Sequence, residues 1–202
     1  MRPPHRGDRR QGGRKPRDEK VDPLLKVEWC RVLDHPDAGG ALAVLTEPNL
    51  HIIRIRTKPG TGQQQSGARL YMGVEHSQRE IVGDVLGFAR IRDLSPTTNF
   101  QLPVIIQQYI EDAPEVFIQQ FFNRAGNLSL KMHAFELLQG VGNKKAQEMV
   151  EARGRTGWKD FASLNEGCGI NAPELLAKRF VSEIKDRGLQ PRLIDLLCRQ
   201  DE

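Results

Sequence analysis

The spacing of apolar residues changes once along this chain, near residue 96, and that change limits the possible folds more than any other feature. Before it the period is two. Lys26–Leu33 alternates roughly in this way and Ala41–Leu45 is a short apolar run. Ile53 and Ile55 alternate with Arg54 and Arg56, and Leu70, Met72 and Val74 with Arg69 and Tyr71; Val85–Ile91 gives a fifth segment. Successive side chains of a strand point to opposite faces, so five half-buried strands are predicted. Pro36–Gly40, Glu47–Asn49 and Pro59–Gly67 supply turn residues between them. Five short strands in so compact a segment suit a small barrel, an OB-like one foremost.

After the change the period is helical. Leu102, Ile105, Ile106, Tyr109 and Ile110 share one helix face. Asp112-Ala113-Pro114-Glu115 predicts a second helix start, with Asp112 as its cap and Phe117, Ile118, Phe121 and Phe122 as its apolar face. Leu130, Ala134, Leu137 and Leu138 predict a third helix. The expected class is α+β: a small OB-like β-barrel over 21–96, connecting helices over 97–125, and an all-α domain over 126–202.

Charge divides the chain differently. Residues 1–20 carry eight basic groups against three acidic ones, which leaves 22 of the 30 basic and 23 of the 26 acidic residues for the rest. The chain's net +4 is therefore a property of this arm, not of the body. The arm is rich in Arg, Gly and Pro and nearly lacks apolar groups, so it is expected to be disordered, and Arg9–Arg14 loosely resembles an RGG-type arm that touches phosphates. No run approaches ~18 apolar residues, and the N-terminus has no apolar targeting core; a cytoplasmic chain with no membrane partner is expected. Cys30, Cys168 and Cys198 lack zinc-ligand spacing and read as reduced thiols.

The segment with chemical content is Phe135–Val150. An apolar helix end is expected at Leu138, then the turn Gly140-Val141-Gly142, then a helix from about Asn143 with Ala146, Met149 and Val150 facing inward. This resembles the helix-hairpin-helix motif. Glycines permit positive φ and leave no Cβ between turn and ligand. Val141 pins the turn inward. The N–H groups of Gly140, Gly142, Asn143 and Lys144 are then free at a helix N-terminus, whose dipole favours an anion, and Lys144 and Lys145 add charge. Such a site reads phosphate rather than base. No cofactor is expected, although the hairpin carbonyls leave room for a monovalent cation. Downstream, Asp160–Ile170 reads as a second hairpin, with Asn171-Ala172-Pro173-Glu174 opening its second helix. Glu174 stands where a phosphate would sit, so this tandem copy is expected to be structural, with Lys178, Arg179, Lys185 and Arg187 as possible backbone contacts.

The order of Leu70-Tyr71-Met72-Gly73, Arg79, Val82, Arg90-Ile91, Leu94–Thr97, Leu102–Ile105, Phe121–Ala125 and His133–Gly142 with Lys144-Lys145 resembles an archaeal family of uncharacterised proteins. That family, predicted to bind nucleic acid, joins an OB-like barrel to a helix-hairpin-helix domain. The resemblance runs from Arg69 to about Ile184 and implies RNA or DNA binding, RNA slightly favoured, with no established activity. The family usually has Pro where this chain has Gln139, so a looser turn is expected. The layout is also similar to that of Holliday-junction-binding proteins.

If 50–57 pairs with 68–75, Arg54, Arg56, Arg69 and Tyr71 form a basic outer face with one aromatic, a modest single-strand platform. No nucleophile elbow, P-loop or paired-Asp pattern is present, and His133 reads as a core or interface residue. The expectation is a non-enzymatic nucleic-acid-binding protein. Its rivals are a protein-interaction adaptor using the hairpin domain and, third, a nuclease or repair accessory subunit.

Overall fold

The computed structural model describes residues 24, 26–35 and 41–199. The expected arm and the turn Pro36–Gly40 lie outside these residues. Five strands, β1 (Trp29–Asp34), β2 (Ala41–Glu47), β3 (Ile52–Thr57), β4 (Arg69–Tyr71) and β5 (Val82–Phe88), form an antiparallel sheet in the order β4-β1-β2-β3-β5. No ladder joins β4 to β5 among the described residues, so by hydrogen bonding the sheet is open. Its two edges still share one apolar cluster: Leu70 and Val82 pack with Cys30, Val32, Leu42, Val44, Ile53 and Ile55. The alternation read from the sequence produces this directly, with Arg54 and Arg56 exposed between buried Ile53, Ile55 and Thr57.

The pairing expected for 50–57 is corrected. β3 pairs with β2 and β5, whereas β4 pairs with β1. Two strands therefore separate Arg69 and Tyr71 from Arg54 and Arg56. The spacing of strand residues fixes which face a side chain takes but not which strand lies beside it.

The second face of the sheet meets α1 (Pro96–Asp112). Leu33, Ala43, Leu45, Ile105, Ile106 and Ile110 belong to one large core with the helices that follow. Ser95 caps α1 by accepting from the Thr98 amide at 3.1 Å. Arg31, 4% exposed, donates to Glu47 at 2.5 Å and to Asp112 at 2.5 Å, tying β1 to β2 and to the end of α1. Asp112 is therefore not the cap of the next helix, as expected from sequence; Ala113 holds that position without a side-chain bond. α2 (Pro114–Phe117) runs on into a π turn, Ile118–Phe122, whose Phe117, Phe121 and Phe122 are buried.

The third predicted helix is also corrected. Residues 127–133 form a short hairpin, β6 (Asn127–Ser129) with β7 (Met132–His133), and Leu130 at its tip is fully exposed. Only the 3-10 turn Ala134–Leu137 remains of the helix. α3 (Asn143–Arg153), α4 (Phe161–Cys168), α5 (Ala172–Lys185) and α6 (Leu193–Leu197) complete the chain. Asp160 and Asn171 cap α4 and α5, and Gly169 closes α4 in the left-handed region. α5 packs on α1 through Leu176, Ala177 and Phe180, and so joins the helical half to the sheet half. Among the described residues no helix is long and apolar enough to cross a membrane.

Candidate nucleic-acid interface

The turn between the 3-10 segment and α3 is built from both sides. Before it, the His133 imidazole Nδ1 accepts from the Phe135 amide at 3.1 Å, and Glu136 accepts from the His133 amide at 2.8 Å. His133 is thus a cap, and burial together with Arg153 lowers its pKa below the ordinary imidazole value. After the turn, Ala146 and Met149 are buried against the core. Within it, the Val141 amide donates to the Leu138 carbonyl at 3.0 Å, and Val141 itself is 5% exposed. Gly140 has φ +86°, a conformation that a residue with a side chain enters only under strain.

The outer surface of this turn is open to solvent. Gly140, Gly142, Asn143 and Lys144 are exposed, and their amides make no hydrogen bond among the described residues. A Cβ built at Gly140 or Gly142 would meet no atom within 4 Å, so the space over the turn is open. Lys145 pairs with Glu148 at 3.3 Å, and Lys144 makes no ion pair among the described residues. Asn143 accepts from the Gln147 amide group at 3.2 Å. Two backbone carbonyls a monovalent cation could use are occupied: that of Leu138 by Val141 and that of Gly142 by Ala146.

The segment expected from sequence as a second hairpin differs. Glu174 pairs with Lys178 at 2.6 Å, and the Asn165 side chain accepts from the Ala172 amide at 2.8 Å. Arg179 is no surface contact: it is 9% exposed and bonded to fully buried Glu183 and to the Pro191 carbonyl. Glu183 in turn accepts from the Leu193 and Ile194 amides, both at 2.9 Å, and so serves as the anion at the start of α6.

On the sheet the expected platform divides. Arg69 pairs with Glu47 at 2.8 Å and lies 4.3 Å over the Trp29 ring, which makes a T-shaped contact with Tyr71. Two strands away, Arg56 makes a loose 3.7 Å pair with Asp84, and Arg54 reaches the Asp93 carbonyl at 3.5 Å. Sequence reasoning gave no site role to Arg90, quoted only for the family resemblance, or to Arg92; both follow β5 and line a groove with the end of α5.

Cys30, Cys168 and Cys198 are all free and buried. Burial pushes the Cys30 thiol up to about 12 and raises the other two.

Residues 40–192 match the sequence model of the family described as "Protein of unknown function (DUF655)". The chain is 25% identical over 120 residues to the uncharacterized protein MJ0038 of Methanocaldococcus jannaschii, covering 59% of this chain. It spans about half, 54%, of that relative's length. The fold superposes on the crystal structure of Af1531 from Archaeoglobus fulgidus, a DUF655 protein, with TM-score 0.71 and 27% identity over 83% of this chain and 98% of the other.

Proposed function

Given that the chain belongs to the DUF655 family, we propose from its own residues that it binds nucleic acid through phosphate contacts, without catalysing a reaction. The observation that carries this reading is the exposed set of unpaired amides at Gly142, Asn143 and Lys144 beside the Lys144 ammonium. Amides at a helix start present partial positive charge, and an anion there completes their hydrogen bonding. In this reading the 3-10 turn with α3 and the pair α4–α5 are two helix-hairpin-helix units, the first binding and the second structural. The sheet is an OB-like one opened between β4 and β5. RNA is preferred to DNA, and binding is independent of sequence.

Gly142→Asp tests this without disturbing the fold. Gly142 has φ −90° and open space at its Cβ, and Asp is a good N-cap, so α3 should keep or gain stability. The same carboxylate would repel a phosphate. Combined with Lys144→Ala and Lys145→Ala, it should weaken oligonucleotide binding most at low salt. Equal affinity of variant and wild type for RNA and duplex DNA would reject the hairpin as the grip.

A protein-interaction role is favoured by one separate observation. Leu128 and Leu196, both exposed, line an apolar groove with Phe121, Leu137 and Leu193. A purified chain free of nucleic acid by its absorbance ratio at 260 and 280 nm would turn attention to that groove.

A further inference from the structure

A groove of about 1090 Å³ runs between the sheet and the last two helices, and its walls are basic. One wall is the end of β5 and the 3-10 turn after it, with Phe88, Arg90 and Arg92. The other is the end of α5, with Lys185 and Arg187. All four of these cations are exposed and make no ion pair among the described residues. The acids of the lining cannot neutralise them. Glu183 is fully buried and committed to Arg179 and to two backbone amides. Asp195 is already held between Arg192 at 2.8 Å and Arg199 at 3.3 Å. Arg192 and Arg199 are themselves framework: the first also bonds the Glu183 carbonyl and the second the Asn49 carbonyl, which fixes α6 against α5 and the sheet. Asp93 lies outside the lining, its carboxylate bonded to the Arg90 amide. Four exposed cations thus line one concave space, where low-dielectric walls concentrate a positive field.

Phe88 adds a second, independent feature. Phe88 is 58% exposed and lines the groove, in a T-shaped contact with His51 at 5.4 Å between ring centroids. An exposed phenyl ring beside cations that make no ion pair among the described residues is the combination that holds an unstacked strand: the phosphates take the charges and a base takes the ring. A duplex has no free base face to offer.

We propose that this groove binds a single strand of nucleic acid, with Arg90, Arg92, Lys185 and Arg187 on its phosphates and Phe88 under a base. This rests on the nucleic-acid reading above and adds a second grip, on different elements from the glycine turn.

The test is fluorescence anisotropy of the full chain with labelled oligouridylate and with a labelled duplex, across a salt titration. Arg90→Ala with Arg92→Ala, and separately Lys185→Ala with Arg187→Ala, should each reduce the slope of log affinity against log salt by about 1.4 for the single strand. Arg90→Lys with Arg92→Lys should keep the slope, because the charges remain. Phe88→Ala should weaken oligouridylate about fivefold or more and leave the duplex unaffected. Unchanged slopes for both alanine pairs, with binding still lost in the Gly142→Asp variant, would overturn the groove and leave the hairpin reading standing. Equal weakening of duplex and single strand by Phe88→Ala would overturn the single-strand assignment. If the intact chain binds neither probe, the nucleic-acid reading falls and the groove with it.

Discussion

Arg153 Nη1 donates to the Ala125 carbonyl at 2.6 Å, so the last turn of α3 is anchored to the chain just before the β6–β7 hairpin. The same nitrogen reaches the Phe122 carbonyl at 3.2 Å, and the guanidinium lies 5.5 Å over the Phe135 ring. One side chain therefore bonds the carbonyls where the π turn ends and ties α3 to them. Charged donors to backbone carbonyls contribute more than neutral ones. Arg153→Met should lower unfolding free energy by about 2 kcal/mol, measured by urea denaturation. A loss within error would show that water replaces the guanidinium at little cost.

Gly140 should not tolerate a side chain, for a backbone reason alone. Its φ is +86° while the space at its Cβ is open, so strain and not collision opposes substitution. Gly140→Val should cost about 1–3 kcal/mol. Thermal unfolding beside Gly142→Asp provides the contrast, because that neighbour keeps an ordinary φ. A Gly140→Val variant as stable as wild type would mean the turn relaxes to another form.

Removing Arg31 should be among the most damaging single changes in the sheet. Arg31 and Glu47 are 4% and 6% exposed, and the loss of one leaves the other buried with incomplete compensation. Arg31→Met should destabilise by about 3–5 kcal/mol. Arg31→Met with Glu47→Leu should recover part of that, since it removes the stranded carboxylate. Denaturation of both variants checks the pair, and additive losses would contradict the coupling.

His133 gives the fold a pH dependence of defined sign. Its folded pKa is lowered, first by burial and then by Arg153, while Glu136 acts the other way. The folded state therefore resists a proton that the unfolded chain accepts. Above the unfolded imidazole value, about 6.5, the group contributes no pH slope. As pH falls below that value stability is lost, until the lowered folded pKa is reached. Protonation would also remove the lone pair that accepts the Phe135 amide. His133→Asn, which keeps an acceptor at the cap, should flatten the stability profile on the acid side of 6.5. A profile identical to wild type would assign the slope to other groups.

The sequence showed different parts of this molecule to different depths. The strands appear where period two was seen, and Asn171 caps the helix its position announces, whereas the caps at Ser95 and Asp160 were not read from the sequence. The glycine turn is equally local: Gly140-Val141-Gly142 implies a bare, exposed bend with an inward valine, and the structure has one. Leu130–Leu138 misled because helical spacing of apolar residues also fits a β-hairpin followed by a single 3-10 turn. Asp112 misled because a cap position competes with a buried arginine from a strand 81 residues away, and the charge-assisted bond won.

The order of residues by itself determined which side chains are apolar, which face of each element they share, and where the backbone must bend. Those properties arise from neighbours within a few positions. Only the tertiary structure decided that Arg69 would lie beside Trp29 and not beside Arg54, and that Arg90 and Arg92 would face Lys185 and Arg187. Such meetings depend on which strands pair and how α5 and α6 close over the sheet. That choice comes from the packing of the whole core, so it leaves no periodic trace in the residues it brings together.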